Sequence, residues 1–536
     1  MALGGALRLA AVWLSPPVLL AVGPSLLTDG SRGLWPLLVL AGGAVLVVTV
    51  LAAPWIRLPP TAVTVVDLAR HRFGDEPALR LLVLASAGSA LLFLWAELAA
   101  GRELAETAGW SPPGTIGVAA IALALFAWRE DVARTVAAIG GGLVLVGLVV
   151  PLGIVLVATG PAWPRVWAEV ASRSRAVFSG DGIWVREGRA LWGPGAELTV
   201  EVKEEQRVTL LGPGHVRVML WEGGGWSRAV TEPLEVTLRP GDRVVVPRGF
   251  PVRFQAGRPI PGAPSGLDWL EPPGRRTDWR ALAGLGVTVL VGALGLAPVH
   301  AALPAGRPTG DRAAGLAALF VTLGLVAAMA WSLYAAWLVP EIYTGGIAGS
   351  EIYELPTSVP ALGGLGMALR YATLFGLAGG GAAAALATLA AVRRDLDGGN
   401  RQGRGHGLAT TAAALATTGL LAVFLPASPW RLFEAALGLA AAGGAPAAIL
   451  ACWRERLSPR ALALGAGVGV VVYGMLTLVA LAGLDVPPGT RWLRWLAAWP
   501  ALVAMPVNAA VVWLLSSAPR PSRRSPLPPG FADLHD

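Results

Sequence analysis

The sequence has few charged residues and a single cysteine. Asp, Glu, Lys and Arg make up 14% of its 536 residues, whereas a soluble domain carries roughly a quarter. Because Cys452 is the one cysteine, the chain cannot form an internal disulfide or a cysteine-based metal site. The sequence also shows no P-loop, no nucleophile–base pair and no cluster of metal ligands. These absences argue against an enzyme, and they predict no cofactor and no metal.

Apolar residues make up 54% of the chain and gather in runs long enough to cross a bilayer. A spanning helix needs roughly 20 apolar residues. The sequence therefore predicts an all-α polytopic membrane protein with about twelve transmembrane helices. Their approximate segments are residues 6–28, 34–53, 79–100, 113–129, 134–159, 280–300, 313–339, 365–392, 407–426, 430–452, 460–483 and 495–516. A cleaved signal peptide over residues 1–28 is disfavoured, because a second apolar run follows at once.

Arginine-rich loops alternate along the chain with loops that hold few basic residues, such as the acidic stretch around Glu351 and Glu354. This alternation is the positive-inside pattern, in which Lys and Arg stay on the cytoplasmic side. It predicts a multi-pass protein of a bacterial-type cell (inner) membrane, with both termini in the cytoplasm. We therefore interpret the net charge of +8 as a topology signal and expect the lipid bilayer, not nucleic acid, as a partner. The Arg- and Pro-rich residues 518–536 form a cytoplasmic tail in this prediction.

Residues 161–278 differ in composition from the rest and are predicted to lie outside the membrane. Short runs of alternating apolar and polar residues, separated by Gly and Pro, are typical of antiparallel strands. The stretch PGDRVVVPRGFPVRF resembles the second conserved motif of cupin barrels, at Gly241, Pro247 and Gly249. The metal-binding His of that motif would fall at Val252, and the segment contains only His215. The prediction is a small, metal-free β-rich insertion that contains this cupin-like motif.

Two predicted helices are interrupted at corresponding positions. The first contains the pair Pro16–Pro17, and the sixth is interrupted by Gly and Pro. Since proline removes a backbone donor, such breaks are tolerated in lipid only where protein or a cavity satisfies the freed groups. Paired breaks point to a midplane site, where half-helix ends face an ion or a carboxylate. The predicted substrate-binding residues are Ser15, Pro16, Pro17, Val18, Leu19, Gly292, Gly295 and Pro298.

Residues 11–80 resemble the sodium:solute symporter family, closest to its cation/acetate symporter branch. The broken first helix, a Gly-rich second helix and the stretch AAPWIRLPPTAVTVVDLARHRFG carry the resemblance. This stretch matches the family's cytoplasmic motif at Arg57, Thr64, Asp67, Arg72 and Gly74. The resemblance implies a LeuT-type inverted repeat of five plus five helices, followed by two C-terminal helices. The implied domains are residues 1–160 (first repeat), 161–278 (insertion) and 279–517 (second repeat and C-terminal helices).

The resemblance also implies a sodium site, of which this sequence keeps only part. The family's site uses main-chain carbonyls of the first and eighth helices and two adjacent hydroxyls of the eighth. Counted back from Asp395, the hydroxyl positions fall on glycines, so both hydroxyls are missing. Because Na+ prefers several hard oxygen ligands, the site is expected to bind it weakly. The predicted positions of this degraded cation site are Ala11, Leu14, Gly376, Gly379 and Gly380.

Proton coupling would need a buried ionisable group, and such groups are rare in the predicted helices. Glu97, in LLFLWAELAAGREL, is the exception. It is either a protonatable group or an interfacial Glu that snorkels near the outer end of the third helix, beside Arg102. The coupling ion stays open between Na+ and H+.

Two functions fit these observations. The first is a secondary active transporter that imports a small organic anion, a short monocarboxylate such as acetate, by cation-coupled symport and alternating access. The second is a transport-inactive, transporter-like membrane sensor or structural protein that uses the external β-domain. A small membrane protein is a further candidate partner. The paired breaks favour the first function, and the missing hydroxyls favour the second.

Overall fold

The computed structural model describes residues 2–21, 64–160, 163–172, 174, 177, 182–185, 197–247, 250–261, 311–338, 351–353, 363–396, 404–425, 427–454, 457–481 and 500–517. Most of these residues are helical. The helices are α1 (Ala2–Trp13), α2 (residues 16–21), α3 (Val65–Phe73), α4 (Arg80–Thr107), α5 (Pro112–Trp128), α6 (Glu130–Thr159), α7 (Trp163–Ser172), α8 (Asp311–Leu338), α9 (Gly364–Leu396), α10 (Arg404–Phe424), α11 (Pro429–Gly443), α12 (Ala445–Trp453), α13 (Pro459–Leu481) and α14 (Pro500–Ser517).

Five described helical stretches are long and apolar enough to cross a membrane. They are Pro77–Thr107, Asp131–Thr159, Gly364–Leu396, Pro429–Ala451 and Pro459–Val479. Shorter apolar stretches lie in α1, α5, α8, α10 and α14. The predicted segments 34–53 and 280–300 lie outside the described residues. The described helices are those of a multi-pass membrane protein, and the number of twelve spans stays a prediction.

The third predicted span, residues 79–100, is too short, since α4 continues to Thr107. The additional turns are polar, and Arg102 pairs with Glu106 at 2.8 Å with an i,i+4 spacing that supports a helix. Hydropathy marks only the apolar stretch and therefore misses this extension. As a consequence, Glu97 lies about 15 Å inside the end of the helix, given a rise of about 1.5 Å per residue.

α6 and α9 approach each other closely through glycines. A Cβ atom built on Gly147 would lie 2.7 Å from the Cα of Gly376, and one built on Gly140 would collide with the carbonyl oxygen of Gly379. Small residues at such crossings let helix backbones meet in a membrane, where packing replaces the hydrophobic effect as the driving force. The glycines of α9 therefore hold it against α6.

The predicted helix 430–452 is interrupted at Gly444, which separates α11 from α12. Pro446 has no N–H, so the carbonyl of Ala442 loses its helical partner. The side-chain amide of Asn508, on α14, donates to Ala442 O at 2.7 Å and to Gly443 O at 3.2 Å. This break is thus satisfied from inside the protein.

The described residues between 182 and 254 form eight strands in two four-stranded antiparallel sheets. The strands are β1 (Gly182–Val185), β2 (Glu197–Glu201), β3 (Gln206–Leu210), β4 (Gly214–Met219), β5 (Gly225–Val230), β6 (Leu234–Leu238), β7 (Arg243–Pro247) and β8 (Pro251–Phe254). One sheet has the order β1-β8-β3-β6 and the other β2-β7-β4-β5. Apart from β4 and β5, strands that are adjacent in a sheet are not consecutive in the sequence, so neither sheet is a simple meander.

The PGD sequence before β7 forms a turn for a local reason. Gly241 has φ +91°, a conformation that residues with a Cβ rarely adopt. The Asp242 carboxylate accepts hydrogen bonds from the N–H groups of Arg239 and Trp221, both at 2.8 Å. Val252, where the cupin motif would place a metal ligand, is buried in the core. The motif residues present here therefore shape the sheets.

We expect Gly140→Ala to destabilise the protein strongly and Gly153→Ala, on the same helix, to leave it nearly unchanged. The first places a methyl group against the backbone of α9, and overpacking of this kind costs about 1–3 kcal/mol. The second meets no atom within 4 Å. Apparent unfolding midpoints in detergent would test this pair, and equal midpoints would refute the close contact between α6 and α9.

Candidate functional site

The first helix is broken in the structure, as the prolines predict. α1 ends at Trp13 and helical structure resumes at Pro16. The prolines occupy the first two positions of α2, where a missing N–H leaves no helical bond unmade. The carbonyl of Ser15 accepts from the N–H groups of Val18 at 3.0 Å and Leu19 at 3.1 Å. Those two N–H groups are therefore used within the chain.

The break exposes more oxygen atoms than N–H groups. The carbonyls of Ala11 and Leu14 accept no hydrogen bond from any described residue. Among residues 15–19, Ser15 alone has an N–H group that donates to no described residue. Oxygen atoms suit a cation, whereas a carboxylate needs donors. The described half of the site is therefore better matched to a cation.

Glu97 lies beside this break. Its side chain is only 4% exposed. The hydroxyl of Ser15 faces the carboxyl group, yet no hydrogen bond of normal geometry joins them. Neither carboxyl oxygen has a hydrogen-bond partner among the described residues. Sequence reasoning left a snorkelling Glu as the alternative, and the burial of this side chain within the bundle favours the protonatable group.

Gly381, on α9, completes the contact between the break and Glu97. A Cβ atom built there would lie 3.1 Å from Cγ of Pro16 and 3.5 Å from Oε2 of Glu97. Three helices of distant sequence position, α2, α4 and α9, thus meet at one point. The sequence analysis did not select Gly381, although it stands in the same glycine run as the predicted positions.

The three predicted cation-site glycines of α9 have their nearest neighbours on α6. A Cβ atom on Gly376 would lie 2.8 Å from the Cα of Gly147, one on Gly379 would lie 3.0 Å from Cβ of Leu143, and one on Gly380 would lie 3.1 Å from Cβ of Val144. A hydroxyl-bearing side chain at these positions would press against α6. Gly292, Gly295 and Pro298 lie outside the described residues.

The motif around α3 anchors one end of the helix bundle. Thr64 and Asp67 form a capping box, with Asp67 N donating to Thr64 Oγ1 at 3.0 Å and Thr64 N to Asp67 Oδ2 at 3.2 Å. Thr64 Oγ1 also donates to Asp395, at the end of α9, at 2.5 Å. Arg72 donates to the carbonyls of Ala451 and Arg454, both at 2.5 Å. The motif therefore ties α3 to α9 and α12.

A second anchor lies beyond α2. Tyr353, on the short 3-10 helix Glu351–Tyr353, is buried, and its hydroxyl donates to the carbonyl of Leu19 at 2.9 Å. Its ring meets that of Trp331 edge-on, with 6.3 Å between centroids. Sequence reasoning used this stretch only for its acids and missed Tyr353. The signal available was an aromatic residue next to Ile352, between the acids Glu351 and Glu354.

We expect Asp395→Ala to loosen α3. The substitution removes the acceptor of Thr64 and of Ser86, which donates to Asp395 at 2.6 Å, and leaves both hydroxyls unpaired at a cost of about 1–3 kcal/mol. Hydrogen exchange of residues 64–73 should become faster. Asp75→Ala is the control, because that carboxylate is 81% exposed and its pair with Arg70 is a surface ion pair. Equal exchange rates of residues 64–73 in the two variants would show that Asp395 does not hold α3 in place.

Comparison with known proteins shows a shared fold. The structure of a Na+-coupled sialic acid symporter, in a substrate-bound outward-open state, matches with a TM-score of 0.58 and 13% identity over 98% of this chain and 91% of that chain. A nucleobase-cation-symport-1 family transporter, in a closed conformation with bromovinylhydantoin bound, matches with a TM-score of 0.44 and 11% identity over 99% of this chain and 96% of that one. No family model and no curated protein matches the sequence. The first similarity shows that this chain shares the fold of that symporter.

Proposed function

We propose that this protein is a secondary active transporter that couples import of a small organic solute to a cation by alternating access. The observation that carries the proposal is the buried carboxyl group of Glu97 at the break of the first helix, within a symporter fold. In transporters, broken helices form the ion and substrate sites. An enzymatic function has no support in this arrangement.

We propose the proton as the coupling ion. An ionised carboxylate buried without a partner is costly, and a bound proton removes the charge. The site offers fewer ligands to Na+, because Gly379 and Gly380 supply no hydroxyl and pack against α6. The carbonyls of Ala11 and Leu14 remain the proposed main-chain ligands should a metal cation bind.

For the cargo we propose a short monocarboxylate such as acetate, following the family resemblance. Like charges repel strongly in a low-dielectric site. An ionised Glu97 would therefore exclude a carboxylate from its neighbourhood, and a protonated Glu97 would admit it. This dependence couples the proton to the anion. The donors for the anion would come from the sixth predicted helix, at Gly292, Gly295 and Pro298, together with the N–H of Ser15.

The second candidate is a transport-inactive sensor or structural protein that uses the β-rich insertion. Two observations favour it: the N–H groups of Val18 and Leu19 are occupied, and the hydroxyls of the family's sodium site are missing. In this case the helices would keep the transporter fold without the transport cycle. The insertion, outside the membrane in the predicted topology, would hold the signal molecule.

Uptake of labelled acetate into proteoliposomes decides between the two functions. We expect an inward proton gradient to drive accumulation and a sodium gradient to have little effect. Glu97→Gln mimics the protonated state, so gradient-driven uptake should fall by about tenfold or more while acetate exchange persists. Glu106→Gln, near the end of the same helix and paired with Arg102, should behave as wild type.

Each possible result of the uptake experiment rejects a different part of the proposed function. Absence of gradient-dependent uptake across a panel of small carboxylates would reject transport and leave the sensor. Uptake driven by sodium, and unchanged in Glu97→Gln, would reject the proton site while keeping the transporter.

A further inference from the structure

An apolar cleft lies in the helix bundle between α4, α5 and α9, and its volume is about 240 Å³. Small residues of all three helices create the space, among them Gly101, Ala119 and Ala378. The atoms that face the cleft are almost all apolar. A cavity of about 150 Å³ with apolar walls holds a benzene molecule, so this cleft has room for a larger apolar group.

The cleft is long and runs parallel to α4 and α5. Its lining residues extend along α4 from Glu97 to Ala108 and along α5 from Thr115 to Phe126. Each stretch covers eleven residue steps, which corresponds to about 16 Å at a helical rise of about 1.5 Å per residue. The hydrocarbon core of a bilayer is about 30 Å thick, so the acyl chains of one leaflet span about 15 Å. The cleft therefore has the length of a single leaflet.

The two ends of the cleft differ in their surroundings. At one end Trp110, in the turn between α4 and α5, is 53% exposed. Tryptophan is enriched where membrane helices reach the lipid headgroups, so this end lies at the bilayer surface. The other end is formed by Pro16, Gly381 and Glu97. The carboxyl oxygens of Glu97 are themselves buried, so this inner end also presents an apolar surface.

One side of the cleft is open to lipid. Tyr371 and Phe375 of α9, which line the cleft, are 46% and 59% exposed, and Val118 and Ile121 of α5 are exposed as well. Because α9 is long and apolar enough to cross a membrane, exposed apolar side chains on it face hydrocarbon. The cleft is therefore continuous with the lipid-facing surface of the bundle.

We propose that one acyl chain of a membrane phospholipid occupies the cleft. Its ester end lies at Trp110, and its terminal methyl group packs against Pro16 and Gly381. The length of the cleft favours a chain over a compact apolar molecule, which would leave part of the cleft empty and lose dispersion contacts with its walls. A polar ligand would give up its hydration almost without compensation. Lipid chains are also the molecules that the open side of the cleft faces.

The bound chain reaches the break of the first helix from the lipid side. Pro16, the first residue of α2, is the point at which the chain end and the break meet. A lipid at this place is a structural ligand of the break, and its binding requires neither the solute nor the coupling ion. The inference therefore goes beyond the proposed function.

Photo-crosslinking in lipid nanodiscs that hold one copy of the full-length protein tests the proposal. Two phosphatidylcholine probes carry a diazirine, one near the end of an acyl chain and the other beside the glycerol ester. The residues of α2 are buried, so a lipid labels Pro16 by way of the cleft. We expect the chain-end probe to label the peptides of Pro16 and Gly381 about tenfold more than the ester probe, because the two diazirines differ in depth by about 15 Å.

Two variants that fill the cleft and one control locate the chain. A Cβ atom on Gly101 meets no atom within 4 Å, so Gly101→Leu places its side chain in the cleft. It should lower the labelling of Pro16 and Gly381 about tenfold or more, since a close-packed cleft has no volume left for the chain. Ala119→Leu, on α5, should act in the same way. Gly153→Leu, on α6 and away from the lining, also meets no atom within 4 Å of its Cβ and should be labelled as wild type.

Labelling of the exposed Val118 is the internal standard, and unfolding midpoints verify that each variant is folded. Equal labelling of Pro16 by the two probes, or no labelling by the chain-end probe, would overturn the proposal. Unchanged labelling in both filled variants would overturn it as well. Loss of the labelling in nanodiscs with two copies of the protein would identify a second copy as the occupant. None of these measurements follows uptake of a solute, so failure here is distinguishable from failure of the transport proposal.

Discussion

The missing N–H groups of two adjacent prolines are the constraint on which the site depends. Pro16 and Pro17 cannot continue the hydrogen bonds of α1, so the helix ends at Trp13 and helical structure resumes at Pro16. The N–H groups of Val18 and Leu19 both donate to the carbonyl of Ser15, and the carbonyls of Ala11 and Leu14 accept no hydrogen bond from a described residue. Glu97 adds two further oxygens without partners. The two prolines and Glu97 together thus produce a local excess of acceptors in an apolar environment.

The second break shows that such an excess is not an inevitable result of proline. At α11–α12, Pro446 frees the carbonyl of Ala442 in the same way, and Asn508 donates to it. The carbonyl freed at that break is therefore satisfied within the protein, although Oδ1 of Asn508 itself has no hydrogen-bond partner among the described residues. At the first break no described side chain donates to the carbonyls of Ala11 and Leu14, and the buried acid Glu97 lies beside the break. The contrast is a physical reason to assign function to the first break and a structural role to the second.

Close packing and anchors fix the surroundings of the site. Glycines place α9 against the backbone of α6, which sets the position of Gly381 beside Pro16 and Glu97. The capping box of α3 binds the end of α9 through Asp395, and Tyr353 holds the far side of α2. The first anchor joins α3 to α9, and the second joins the 3-10 helix Glu351–Tyr353 to α2.

The sequence by itself determined the helical membrane class, the break at Pro16–Pro17 and the turn at Gly241, because hydropathy and proline or glycine chemistry act locally. It also singled out Glu97 as an unusual residue in an apolar run. Only the tertiary structure decided that Glu97 is buried beside Ser15 and that Gly381, not an earlier glycine of the same run, touches Pro16. These contacts join residues far apart in the chain. They depend on how closely α6 and α9 pack and on how far α4 extends, and neither quantity has a local signal in the sequence.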